Sequence, residues 1–154
     1  MMKRCNSLRG WLVALLLGVQ SVYAAPPEYL KTPGDERDLP FSAAVRVGDM
    51  LYLSGELGVL PGTLQLAEGG IEGQTRQTLE NISATLEQFG SSMDSVVKCT
   101  VFMADMAQWG QMNTVYRTFF VNPPARSALG ASGLALDALV EIECIAVVEN
   151  DGGG

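Results

Sequence analysis

The run from Leu139 to Val148 constrains the fold of this chain more than any other stretch, because it alternates as a long half-buried strand would. Val140, Ile142, Cys144, Ala146 and Val148 fall on one face, and Glu141, Glu143, Ile145 and Val147 on the other. The first face suits a layer of helices. The second mixes two carboxylates with two large aliphatics, a poor surface to show to water, and so predicts cover by another subunit. A partly exposed antiparallel face is the alternative.

The rest of the chain supplies the partners such a strand needs. Ala43 to Val47 and Met50 to Leu57 flank Gly48-Asp49, the pattern of a hairpin with a two-residue turn. Val59 to Gly70 reads as a Gly-rich loop. Ile71, Thr75, Thr78, Leu79, Ile82, Leu86 and Phe89 recur mostly at spacings of three and four ahead of Gly90, which predicts an amphipathic helix with a glycine C-cap. Val96 to Met103 is rich in β-branched residues and reads as a strand. Asp105 can then cap a second helix carrying Trp109, Met112, Tyr116, Phe119 and Phe120, which Pro123-Pro124 ends. Trp109, Tyr116 and Phe119 read as core, not as a ligand cage. Ala125 to Leu129 is a short extended piece. This order predicts an α+β domain over 41–149, one mixed sheet with two helices packed on one face.

The ends read differently. Residues 1–24 have the pattern of a secretory signal peptide: Lys3, Arg4 and Arg9, then the apolar Trp11 to Val19, then Val22-Tyr23-Ala24 as the cleavage pattern. The expectation is export, to the periplasm or the cell exterior, with no membrane span left after cleavage. Residues 25–40 carry four of the seven prolines and read as an extended lead-in, and 150–154 as a flexible tail.

Composition removes several chemistries. The chain has no histidine, which excludes Ser-His-Asp and Cys-His catalysis and most zinc or iron sites. Without Lys3, Arg4 and Arg9, the ten basic residues fall to seven against 17 acidic ones, a net charge of −10. Nucleic acid and anionic lipid are then poor partners. Cys99 and Cys144 read as two buried thiols, a bridge requiring neighbouring strands in register. No metal site and no cofactor are expected, so chemistry falls to carboxylates, cations, hydroxyls and backbone groups.

Two of these groups stand out. Arg126 follows Pro123-Pro124, so a planar guanidinium leaves a stiffened backbone, suited to gripping a carboxylate through two parallel hydrogen bonds. A surface arginine paired with one of the acids is the plainer alternative. Glu141 is flanked by aliphatics, where desolvation raises a carboxyl pKa and a nearby Arg126 lowers it. Such a group can orient a water, or it can simply pair with Lys98. Glu143 on the same face is a lesser candidate for either role. Ser54-Gly55 is a small pair that lets a ligand approach backbone, or marks a bulge.

Several segments taken together resemble the enamine/imine deaminase family, the YjgF-like or reactive-intermediate-deaminase group. They are Pro40-Phe41-Ser42, Leu53-Ser54-Gly55, Arg76 to Asn81, Val97 to Phe102, Pro124-Ala125-Arg126-Ser127 and Glu141 to Ala146, covering about 40–148. The resemblance implies a chorismate-mutase-like fold, a homotrimer with ligand clefts between subunits, and no cofactor. It implies that Arg126 pairs with the substrate carboxylate and that Glu141 positions a water at an imine carbon, releasing ammonia and a 2-oxo acid. It also places Phe41, Ser54, Gly55 and Asn113 around the ligand. Phe41 stands where such proteins commonly have tyrosine, and Ala128 where many have cysteine. The expected function is therefore hydrolytic deamination of 2-imino acids or enamines. The alternative is a trimer that binds small carboxylates without turnover. A holdase or interaction role is a weaker third reading.

Overall fold

The computed structural model describes residues 25–32, 34 and 39–148; the expected signal peptide and tail lie outside them. Seven strands and two helices follow one another along the chain. The strands are β1 (Glu28–Leu30), β2 (Ala44–Val47), β3 (Met50–Leu53), β4 (Glu56–Leu57), β5 (Val96–Met103), β6 (Ala125–Gly130) and β7 (Val140–Val147). Helix α1 is Gly70–Gln88 and α2 is Trp109–Tyr116. The sheet runs β1-β2-β3-β7-β5-β6, with β4 on β7. All pairings are antiparallel except β5 with β6, which α2 connects as a crossover. This is the mixed sheet with two helices that the chain's patterning predicts.

The long strand is central, as its two-sided dressing requires. Val140, Ile142, Cys144 and Ala146 of β7 lie in the same buried cluster as Cys99, Val101 and Met103 of β5, and Leu79, Ile82 and Leu86 of α1 close over them. Each of those fully buried aliphatics contributes about 1.5–3 kcal/mol of burial energy. The helix is not purely apolar on this face. Thr75 and Thr78 donate their hydroxyls to the carbonyls of Ile71 and Gln74 one turn back, so neither is left unpaired. Gly90 ends the helix with φ +76°, and the N–H of Ser91 returns to the Leu86 carbonyl at 2.9 Å.

Four expectations need correction. Helix α2 ends at Tyr116, so Phe119 and Phe120 lie beyond it and Pro123-Pro124 does not end it. Met50 to Leu57 is not one strand: it breaks at Ser54-Gly55, and β4 leaves β3 to pair with the start of β7. The two cysteines are not separate thiols. Cys99 and Cys144 are direct register partners in β5 and β7, their Cα atoms 4.1 Å apart, and their sulfurs are bonded. Alternation along a strand puts a residue on a face but does not say which residue stands opposite, so the bridge was not readable from spacing. Nor is Trp109 core. It begins α2 at the edge of the sheet and is 43% exposed.

The other face of the sheet carries Tyr52, Thr100, Glu141, Glu143, Ile145, Val147 and Leu129, with Tyr52, Leu129 and Val147 exposed. No helix covers it among the described residues.

Candidate functional site

Glu141 is the second residue of β7, with Phe102 opposite on β5 and Leu57 opposite on β4. Gly55 lies in the break between β3 and β4, against the Glu141 side chain. A side chain on residue 55 would collide with Glu141 Oε1 and crowd its Cδ, so only glycine lets the carboxyl lie against the backbone there. Ser54 is held beside it by donating its hydroxyl to the Ser42 carbonyl at 2.7 Å. Ser54, Gly55 and Phe41 line one cleft of about 220 Å³, walled by Leu39, Leu57 and Leu136. Phe41 is 56% exposed, so its ring lies open at the cleft and is not spent on the core. The structure thus gathers Phe41, Ser54 and Gly55 in one cleft, with the Glu141 side chain against Gly55.

The carboxyl of Glu141 is pushed above the usual range for glutamate, first by burial and then by the charge of Glu143 two residues along. Arg126 is not among the causes. Lys98 is not its partner either, since its ammonium donates to the Ser127 hydroxyl at 3.2 Å.

Two residues not named as site candidates from the sequence brace this region, although Asn81 ends one of the segments that carry the resemblance. Asn81 donates its amide to the carbonyls of Leu57 and Val59, at 3.0 and 2.9 Å. Gln74 is buried, and its Oε1 accepts the Leu139 N–H at 2.8 Å, just ahead of β7. They lie seven residues apart, two turns of α1, on the same side of the helix. That spacing of two amides along the buried side of α1 was the available signal.

Arg126 lies elsewhere. It stands opposite Cys99 on the edge strand β6, so its side chain leaves the sheet on the helix face. There its guanidinium carbon sits 4.5 Å from the Tyr116 ring centroid and 5.9 Å from that of Trp109. Asn113 belongs to this group by position, one turn before Tyr116 on α2. Arg126 and Glu141 therefore project from opposite faces, with β5 between them and roughly 14 Å of sheet from one Cα to the other. Within one chain they do not converge on a small ligand.

Residues 36–148 match the family described as Endoribonuclease L-PSP. The chain belongs to this family. Among curated relatives of the L-PSP family, the RutC family protein PH0854 of Pyrococcus horikoshii is 43% identical over 111 residues, covering 71% of this chain and 88% of its own length. The 2-iminobutanoate/2-iminopropanoate deaminase of Mus musculus is 40% identical over 109 residues, covering 70% and 81%. Among solved L-PSP-fold structures, Escherichia coli TdcF with bound serine superposes with a TM-score of 0.68 at 31% identity, covering 79% of this chain and 94% of that one. The resemblance read from the motifs is thus a true membership, and the mixed sheet with its two helices is the fold of the L-PSP/YjgF group.

Proposed function

We propose that this chain is a hydrolytic deaminase of 2-imino acids and their enamine tautomers. The observation that carries the reading is the Glu141 carboxyl lying against Gly55, a residue that lines the cleft, raised in pKa and with no cation of the described residues among the causes. A carboxyl raised in this way is a better proton acceptor than an ordinary glutamate, the property a general base needs. In the reaction, the water oxygen bonds to the imine carbon while the C=N π pair moves to nitrogen, which takes a proton. Glu141 accepts the proton that the water loses and delivers that same proton to the nitrogen, so the carboxylate is free again. A second transfer through the same carboxyl moves the hydroxyl proton to nitrogen, the C–N bond breaks, and ammonia leaves as the C=O forms.

Arg126 holds the substrate carboxylate in this reading. Because it leaves the opposite face of the sheet from Glu141, the complete site uses Arg126 and Asn113 of one copy with Phe41, Ser54, Gly55 and Glu141 of its neighbour. The open face, with Tyr52, Ile145 and Val147, is the natural contact, and a homotrimer is the assembly proposed. The names of relatives at 36–40% identity support the reaction class. A ribonuclease activity, which the family's description would suggest, fits poorly with a mature charge of −10. We propose further that residues 1–24 direct export, so that the substrate arises outside the cytoplasm.

The test couples the purified protein to an amino-acid oxidase that generates the imine. Faster release of ammonia and 2-oxo acid is expected, and Arg126→Ala should abolish it. No acceleration with any of several amino acids defeats the proposal. One observation favours the binding-only alternative: Phe41 offers the cleft no hydroxyl, and that of Ser54 is already donated to Ser42. In that case calorimetry would detect Arg126-dependent binding of 2-oxo acids, and Glu141→Ala would change no rate.

A further inference from the structure

We propose that Tyr116 is a positioning residue for the carboxylate clamp: its ring face, flanked by Trp109, seats the Arg126 guanidinium so that the N–H fork stays free for a ligand. The inference rests on the role given to Arg126 above. Both ring centroids lie within the distance at which an aromatic quadrupole attracts a cation, about 6 Å. Tyr116 and Trp109 are seven residues apart, two turns of α2, which brings both rings to the side of the helix that meets β6.

The seat itself is firm. Tyr116 is 5% exposed and packs on Phe120 with ring centroids 4.8 Å apart. Trp109, by contrast, is half open to solvent, and Arg126 itself is only partly buried.

An aromatic seat does what an ion pair would not. A carboxylate partner would occupy the guanidinium's fork and cancel its charge, the two properties a ligand carboxylate needs. Among the described residues Arg126 has no carboxylate within salt-bridge reach, only the two rings. The phenol does not serve as a concealed anion. Burial pushes its pKa up to about 12 against the opposing pull of Arg126, so it stays neutral where the protein works. Its buried hydroxyl has no hydrogen-bond partner among the described residues, so within the chain it is the ring and not the oxygen that makes the contacts.

The test uses the full mature chain and three substitutions. Tyr116→Phe keeps the ring, Tyr116→Leu removes it, and Phe120→Leu loosens the same aromatic cluster without touching Arg126. Affinity for 2-oxobutanoate is measured by calorimetry, kcat and KM with the oxidase-generated imine, and the mobility of the Arg126 Nε–H by nitrogen relaxation without ligand. Tyr116→Phe and Phe120→Leu should stay within about twofold of wild type in Kd, whereas Tyr116→Leu should raise Kd and KM about tenfold and kcat should change less. Should Tyr116→Leu not fold, Trp109→Leu at its exposed position carries the test, with about threefold weaker binding expected. Unchanged binding in the leucine variant, or an equal loss in Phe120→Leu, overturns the proposal. Wild-type protein that neither binds 2-oxobutanoate nor accelerates deamination would sink the functional reading instead. The seat is then decided by relaxation alone: Arg126 must be rigid in wild type and Tyr116→Phe and mobile in Tyr116→Leu, and no difference refutes it.

Discussion

The chemistry assigned to Glu141 depends on two neighbours that differ in kind, a glycine and a second acid. Gly55 leaves the space the carboxyl occupies, so Gly55→Ala forces Glu141 off its seat. We expect at least a hundredfold loss of kcat/KM in that variant, with the melting temperature moved only a few degrees, since residue 55 is exposed. Glu143 acts through charge alone. It adds to the upward shift of Glu141, so Glu143→Gln should lower the Glu141 pKa. If the ionised carboxylate receives the water's proton, activity falls as pH drops through that pKa, and the acid limb of the pH–rate profile must move to lower pH in Glu143→Gln. A limb that stays in place would remove Glu141 from the role of base. Both acids were visible in the sequence because a strand alternates; that their separation would outweigh any effect of Arg126 was not, since a face assignment for β7 says nothing of where β6 sits.

At the scale of elements, the strand pattern of 139–148, the helix period of 71–89 and the cap at Asp105 were all legible, because each is a local repetition that burial on one side enforces. Asp105 does accept the Ala107 N–H at 2.9 Å, although a short 3-10 turn, Met106–Gln108, precedes α2. What local repetition does not carry is register. The break at Ser54-Gly55 and the cystine both depend on which residue faces which across strands distant in sequence. The bridge joins β5 to β7 between residues 45 apart, and cross-linking a loop of that length stabilises a fold by about 2–4 kcal/mol. Reduction, or Cys99→Ala with Cys144→Ala, should lower the unfolding midpoint in urea accordingly. Because both cysteines are buried in the native protein, thiol titration should find them only after denaturation and reductant together. A double alanine variant as stable as the parent would show that the bridge does not form in the folded protein.

The whole molecule brings the last test, since one chain holds its two proposed reactive groups on opposite faces of a sheet. Separation of this kind has a consequence that a site contained in one chain lacks: two inactive variants can repair each other. In the proposed homotrimer, a closed ring with head-to-tail contacts, each cleft would take Arg126 from one copy and Glu141 from the next. Arg126→Ala subunits still supply Glu141, and Glu141→Gln subunits still supply Arg126. When the two are unfolded, mixed in equal amounts and refolded together, chance pairing makes about one cleft in four complete. Deaminase activity should therefore return to about a quarter of wild type in the mixture, while each variant refolded alone stays inactive. Oxidising conditions must be kept during refolding so that Cys99 and Cys144 rejoin. Sedimentation separates the explanations for failure: mixed trimers without activity would remove the pairing of Arg126 with Glu141 across subunits, whereas monomers would mean that the open face with Tyr52 and Val147 is not the contact.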